Sequence, residues 1–427
     1  MKLKSLHIGS YRHLQNINFD FTCPKRHPKS GQPLEKICII GQSATGKTSV
    51  LELIKECGHK LDSARLLDEN NYLDSYHLIF KGHIEFLIGN KSLLIKEDKI
   101  INDGRELHHI TNGGGAVTEF IEKGLRLLYF STDVISKEVL NIFSQNPINI
   151  LNEISIEKFS RFEYGPDNFN YILEFSENVN KVIWFGLLYK ILDYRKKFTQ
   201  MASELINKGA IGDINKLNKQ YSNWSETNPN PLIPFAEIFN PLLNKLNLEI
   251  DLVNTEFTIP INSKIKKEVI PVSGLSTGTK GLLLSMFPLY ELDTKEAIVL
   301  IDEPERSLFP DIQIDLMQHY QNLAPEAQIV VATHSPFIAV SFDPEERFIL
   351  YFDNKGEVAV RRGESPKGDD PNDMLRNDFN VDYYNEFGKQ AYQKYLSLKM
   401  KAKQETEPTK KKELIIELAA LGDKYNF

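Results

Sequence analysis

The chain has 427 residues, 41% of them hydrophobic, and a formal net charge of −7. That length can bury a large core in more than one lobe, and the acidic balance excludes a surface that coats nucleic acid by charge alone. No apolar run approaches the about 18 residues that suggest a membrane span, residues 1–14 lack an uninterrupted apolar stretch, and Cys23, Cys38 and Cys57 form no C-x-x-C pair, so a soluble, reduced, cytoplasmic protein with no membrane partner is expected.

Residues 3–21 predict two short strands around a turn, with Ile17, Phe19 and Phe21 alternating against Asn18 and Asp20. In the turn, Tyr11, Arg12 and His13 are candidates for stacking on a base or pairing with phosphate, and equally for a plain polar turn. Residues 23–35 form a loop rich in Pro, Lys and Gly.

Next comes ICIIGQSATGKTSVLELI at 37–54. Its apolar opening, residues 37–40, predicts a buried parallel strand, and Val50, Leu51, Leu53 and Ile54 recur at helical spacing. Between them, Gly41-Gln42-Ser43-Ala44-Thr45-Gly46-Lys47-Thr48 fits G-x-x-x-x-G-K-[ST], with Ser49 following. Gly41 and Gly46 permit backbone angles that turn successive N–H groups onto a phosphate. The helix N-terminus adds free donors and a positive dipole end. Lys47 is placed for the β and γ phosphates and the Thr48 hydroxyl for Mg²⁺, so ATP and Mg²⁺ are the expected ligands.

From 57 to 128 the pattern shifts to short strands, 75–87 and 91–95, with Gly89-Asn90 as a hairpin turn and residues 112–115 as a glycine-rich break. Residues 125–131 predict a buried strand, 135–158 a helix and 178–209 the longest helix. Residues 222–234 predict a loop, 235–247 a helix and 248–259 a strand.

Three further constellations follow. The polar loop 273–280 opens a helical run at 281–289, a second anion-ready helix N-terminus. The apolar run 297–301 ends in Asp302-Glu303, where a strand-end Asp can hold Mg²⁺ through water and the adjacent Glu can polarise an attacking water. The buried strand 328–332 ends in Thr333-His334-Ser335-Pro336, and a His there can meet a γ-phosphate or serve as a structural histidine.

In that order these motifs resemble the ABC-type ATPases, and EPERSLFP at 303–310 with ATHSPF at 332–337 is similar to their RecF, OLD and SMC-like branch. The resemblance implies an α/β ABC ATPase head: a P-loop core with a mixed or parallel sheet, N-terminal antiparallel strands, an inserted helical lobe and a short helical C-terminal tail. It places Leu275-Ser276-Thr277-Gly278-Thr279 as the signature loop, departing from LSGGQ at Thr277 and Thr279, with Ser276 and Gly278 contacting phosphate. Asp302 aligns with Walker B, Glu303 with the catalytic carboxylate, His334 with the switch histidine and residues 304–310 with the D-loop. Gln145 is the candidate Q-loop metal ligand and Arg12 the basic residue near the nucleotide. The implied division is 1–135 and 261–362 as the two ATPase lobes, 136–260 as the insertion, and 363–427 as a partner-binding tail.

Family geometry implies a homodimer that sandwiches ATP between the phosphate loop of one chain and the signature loop of the other. The tail, with GDDPNDML at 368–375 and then Phe379, is similar to defence ATPases of the Septu (PtuA) and retron-associated type, which work beside a separate nuclease or toxin. Taken locally, the same stretch is a solvated loop entering a helix capped by Asp373. The lysines of 389–412 suit an exposed helix face, a partner site or a nucleic-acid contact. Two functions stay open: regulation of a nuclease or toxin in an anti-phage complex, or RecF-like DNA repair with direct DNA binding.

Overall fold

A computed structural model describes residues 1–66, 78–89, 91–97, 99–102, 104–106, 126–153, 172–179, 181–209, 212–381 and 385–425. The expected glycine-rich break at 112–115 lies outside them. The chain divides into two compact units, Met1–Gly368 and Asp369–Phe427.

The first unit is α/β, and its centre is a seven-stranded sheet with the order β16-β15-β3-β14-β13-β8-β9. Its strands are β3 (Lys36–Gly41), β8 (Leu127–Phe130), β9 (Ile172–Phe175), β13 (Ile298–Asp302), β14 (Gln328–Ala332), β15 (Arg347–Phe352) and β16 (Val358–Arg362). All neighbours run parallel except β15 and β16. Every residue of β3, β8, β13 and β14 is buried, which explains why these strands read as continuous apolar runs rather than alternating ones.

A six-stranded antiparallel sheet lies beside it, in the order β2-β1-β4-β5-β6-β7. It comprises β1 (Lys2–Tyr11), β2 (Leu14–Asp20), β4 (Lys81–Ile88), β5 (Lys91–Lys96), β6 (Lys99–Asn102) and β7 (Arg105–Glu106). The two sheets share one apolar core with α1 (Lys47–Leu66): Leu6, Ile8 and Phe19 join Ile37, Ile39, Val50, Leu53 and Val330. Phe21 meets Phe348 edge-on at 4.9 Å, and the Arg362 guanidinium lies 4.2 Å above the same Phe348 ring. The buried Gln328 amide exchanges hydrogen bonds with the Leu3 main chain and donates to the Leu34 carbonyl at 2.6 Å. A buried amide fully engaged with backbone groups sets one sheet against the other.

The insertion carries α2 (Lys137–Ser144), α3 (Pro147–Glu153), α4 (Lys181–Asn207), α5 (Ile214–Thr227) and α6 (Leu232–Lys245), with a small sheet of β10 (Leu248–Ile250), β11 (Ile261–Ser263) and β12 (Glu268–Ile270). It packs on α7 (Thr277–Glu291) through rings: Phe143 and Phe235 each meet Phe287 edge-on at 5.4 Å. After β13 come α8 (Pro310–Leu323) and, after β14, the short α9 (Pro336–Ala339).

Three local expectations change. The helix expected from 135 breaks at residues 145–146, where Pro147 starts α3 without needing a donor of its own. The loop expected at 222–234 shrinks to 228–231: it is helical from 232 as the start of α6 and up to Thr227, where Trp224 packs on Tyr194 and Phe198 of α4 at 5.7 and 5.8 Å and outweighs the helix-weak Ser and Asn around it. The strand expected at 248–259 keeps only Leu248–Ile250.

The second unit is helical: α10 (Pro371–Asn377), α11 (Glu386–Gln404) and α12 (Pro408–Tyr425), the last two packed together. Asp370, not Asp373, caps α10, accepting the Asn372 N–H at 2.7 Å. Among the described residues no helix is long and apolar enough to cross a membrane.

Candidate active site

Four parallel strands end at the same edge of the central sheet, and each delivers one piece of the site there: Gly41 from β3, Thr132 just past β8, Asp302 from β13 and Thr333-His334 just past β14. The carboxyl end of such a sheet is where open α/β folds bind ligands.

The phosphate loop, residues 41–48, joins β3 to α1. Gly41 has φ +154°, and a Cβ there would lie 2.2 Å from the Leu350 carbonyl oxygen, so the position tolerates no side chain. Gly46 has φ +90°, and His13 and Leu14 of the β1–β2 turn fill the space a Cβ would need. Ala44 adopts φ +65°, a left-handed conformation that costs on the order of 1 kcal/mol or more outside glycine. The Thr45 hydroxyl pins the loop by donating to the Gln42 carbonyl at 2.8 Å.

Lys47 Nζ donates to the Gly41 and Gln42 carbonyls at 3.1 and 3.0 Å. Burial pulls its pKa down to about 8, against the opposing pull of Glu303, Asp302 and Glu305. A phosphate oxygen is a charged acceptor and would hold this ammonium more strongly than neutral carbonyls do. The Thr48 hydroxyl donates to Asp302 Oδ2 at 2.9 Å, and the Thr132 hydroxyl donates to the same oxygen at 2.8 Å. Burial raises the Asp302 pKa, and the two hydroxyl donors oppose the rise. Thr48 and Asp302 are oxygen donors of the kind Mg²⁺ takes, and a divalent charge beside them would keep the carboxylate ionised.

Glu303 sits at φ +49° and is held there by its N–H, which donates to the Ala332 carbonyl at 2.8 Å. That turn brings its Oε1 to 3.6 Å from His334 Nε2. Burial lowers the His334 pKa and Lys47 lowers it further, so the ring favours its neutral form; Glu303 opposes this. The His334 N–H donates to Glu305 Oε1 at 2.8 Å. Thr333 ties this corner to the phosphate-loop strand through its N–H to the Ile39 carbonyl at 3.1 Å.

Ser276 is the N-cap of α7, its Oγ accepting the Thr279 N–H at 3.3 Å and sharing a 2.7 Å hydrogen bond with the Thr279 hydroxyl. Gly278 lies against the loop after Glu303: a Cβ there would be 2.3 Å from the Ser307 carbonyl oxygen. Arg306 crosses back to donate to the Thr132 carbonyl at 2.9 Å and to pair with Asp133. A cleft of about 290 Å³ runs between these parts, with Thr277, Gly278, Asp302, Glu303 and Arg306 on its walls.

Arg12 pairs with Glu52 and approaches Glu56 of α1 at 4.0 Å, with its guanidinium 5.1 Å from the Tyr11 ring. Its Nη1 is 3.5 Å from Ser49 Oγ, at the first turn after the phosphate loop. Gln145 stands at the C-terminal cap of α2, where its carbonyl accepts from the Thr258 N–H at 3.0 Å and hydroxyl at 3.1 Å. Among the described residues its hydrogen bonds do not reach Asp302; Thr132 holds that contact. Sequence reasoning passed over Thr132 and took Glu305 only as part of the D-loop stretch 304–310. The signal for Thr132 was a hydroxyl residue just past the buried run LLYF, at a strand's carboxyl end.

The model of the AAA ATPase domain family AAA_15 matches residues 89–339. The chain belongs to this family. The AAA_15 match takes in Ser276, Asp302, Glu303 and His334, while the phosphate loop lies upstream of it. A protein of Vibrio cholerae serotype O1 biovar El Tor named "Retron Vc95 probable ATPase" is 22% identical over 392 residues, covering 82% of this chain and 73% of that protein. Among solved structures, an SMC head bound to the C-winged helix domain of ScpA is 12% identical with a TM-score of 0.41, covering 85% of this chain and 98% of that one. The SMC head domain of Thermotoga maritima is 12% identical with a TM-score of 0.40, covering 86% and 100%. The chain is thus an AAA_15 ATPase related to a retron ATPase.

Proposed function

We propose that this AAA_15 protein binds and hydrolyses ATP with Mg²⁺, pairs head-to-tail with a second copy of itself around the nucleotide, and regulates a separate nuclease or toxin in an anti-phage complex. The observation that carries the chemistry is the convergence of Thr48 and Thr132 on one Asp302 oxygen, with Glu303 and His334 beside them. Mg²⁺ bound at Thr48 and Asp302 would neutralise charge developing on the phosphate oxygens. Lys47 and the loop N–H groups orient the phosphate chain. Glu303 positions and polarises the attacking water as general base, and the neutral His334 ring donates toward the γ-phosphate. In the paired form, Ser276 and the Gly278 N–H of one chain close on the nucleotide held by the other. The name of the retron relative supports the defence setting.

Glu303→Gln should keep ATP affinity while turnover falls by about 100-fold or more, measured by nucleotide binding and phosphate release. An unchanged rate removes Glu303 from the role. Lys47→Ala should abolish binding, and normal affinity in that variant would sink the phosphate-loop assignment. Co-purification from a native host tests for the effector subunit.

A further inference from the structure

The reading above leaves Glu305 without a task, yet its surroundings are specific. It is half-buried in the turn after β13, and burial with the nearby Glu303 charge pushes its carboxyl upward. Its Oε1 accepts the His334 main-chain N–H at 2.8 Å. Two other links, one direct and one relayed, join the same two segments. The Glu303 N–H reaches the Ala332 carbonyl at 2.8 Å, and the Ser335 hydroxyl donates to Gln313 Oε1, whose amide in turn donates to the Leu308 carbonyl at 2.8 Å. Glu305 is the member of this set that grips His334 itself.

We propose that Glu305 is a positioning residue for hydrolysis: by holding the His334 main chain, it fixes the imidazole against Glu303. The inference rests on the roles proposed for Glu303 and His334. Glu305 need not touch the nucleotide. It ties the turn carrying Glu303 to the loop carrying His334, so that the two side chains keep the 3.6 Å relation on which water and phosphate would be aligned. A carboxylate suits the task because it accepts a backbone N–H more strongly than a neutral oxygen does. The short connection through Pro304 leaves the main chain little freedom to compensate.

The test is a double-mutant cycle in the full-length protein, with ATP turnover and ATP affinity both measured. Glu305→Ala should lower kcat by roughly ten- to a hundredfold and leave KM and nucleotide affinity within about twofold. Glu305→Gln retains an acceptor oxygen at the same reach and should restore most of the rate. In a His334→Ala background, Glu305→Ala should cause little further loss, because the group it positions is gone. An equal further loss in that background, or a wild-type kcat in Glu305→Ala alone, overturns the inference. Where Glu305→Ala fails to fold, Glu305→Asp, one methylene shorter, carries the same cycle. The two levels of failure are separable: normal ATP affinity in Lys47→Ala or wild-type kcat in His334→Ala defeats the proposed function, whereas additive losses with those controls intact defeat only the role of Glu305.

Discussion

The phosphate loop and the loop at 275–279 are both polar turns at helix N-termini, but the fold treats them differently. The phosphate loop is held by residues remote in sequence: Thr48 bonds Asp302, Gly46 is packed by His13 and Leu14, and Gly41 is roofed by Leu350. Ser276, by contrast, bonds among the described residues within its own turn, capping Thr279, while Gly278 serves as a seat for the Ser307 carbonyl. One loop is tied to distant parts of its own chain; the other is satisfied locally, with Ser276 exposed. That contrast is what the proposed second copy would resolve.

The sharpest way to break it is Ser276→Arg, which puts a bulky cation where a small hydroxyl must approach phosphate. Each chain should still bind ATP through Lys47 and Thr48, while ATP-dependent pairing, followed by sedimentation, and hydrolysis are both lost. The lost cap itself costs only about 1 kcal/mol, so a small change in melting temperature accompanies a large functional one. Full hydrolysis in this variant at low protein concentration would mean that the site is complete within one chain.

A smaller effect sharpens the role of the seat. Gly278→Ala places a methyl 2.3 Å from a backbone oxygen, so the loop at Ser307 must move. Misplacement of that order should reduce turnover roughly tenfold with ATP affinity kept, and an unchanged rate would show that the fit at Ser307 is immaterial.

The smallest effect concerns the phosphate loop without nucleotide. Lys47 is lowered to about 8 in the folded chain, so between about pH 8 and the ordinary lysine range the unfolded chain binds more protons at this position. Stability contributed here therefore rises with pH across that window, as the buried ammonium is relieved of its charge. Wild type should gain on Lys47→Met by a modest margin in melts from pH 8 to 10, and a flat difference would show that Lys47 is not desolvated.

What sequence could carry alone was whatever depends on local geometry. G-x-x-x-x-G-K-T between an apolar strand and an amphipathic helix specifies its own loop, because glycine freedom, strand burial and helix polarity are all written within residues 37–54. The all-buried parallel strands, including the one ending in Asp302-Glu303, were legible for the same reason. Tertiary structure decided the rest. Thr132 belongs to the site only because β8 lies beside β13, which no spacing between residues 132 and 302 reveals. The Gln145 main-chain carbonyl meets the Thr258 N–H and hydroxyl only because the chain breaks between two helices there. Residues 222–227 became helical because Trp224 found Tyr194 and Phe198, and Glu305 acquired a partner only when β14 delivered the His334 N–H beside it. Local propensities differ by fractions of a kcal/mol per residue, so aromatic packing or a buried hydrogen bond between distant segments overrides them, and those pairings exist only once the chain has folded.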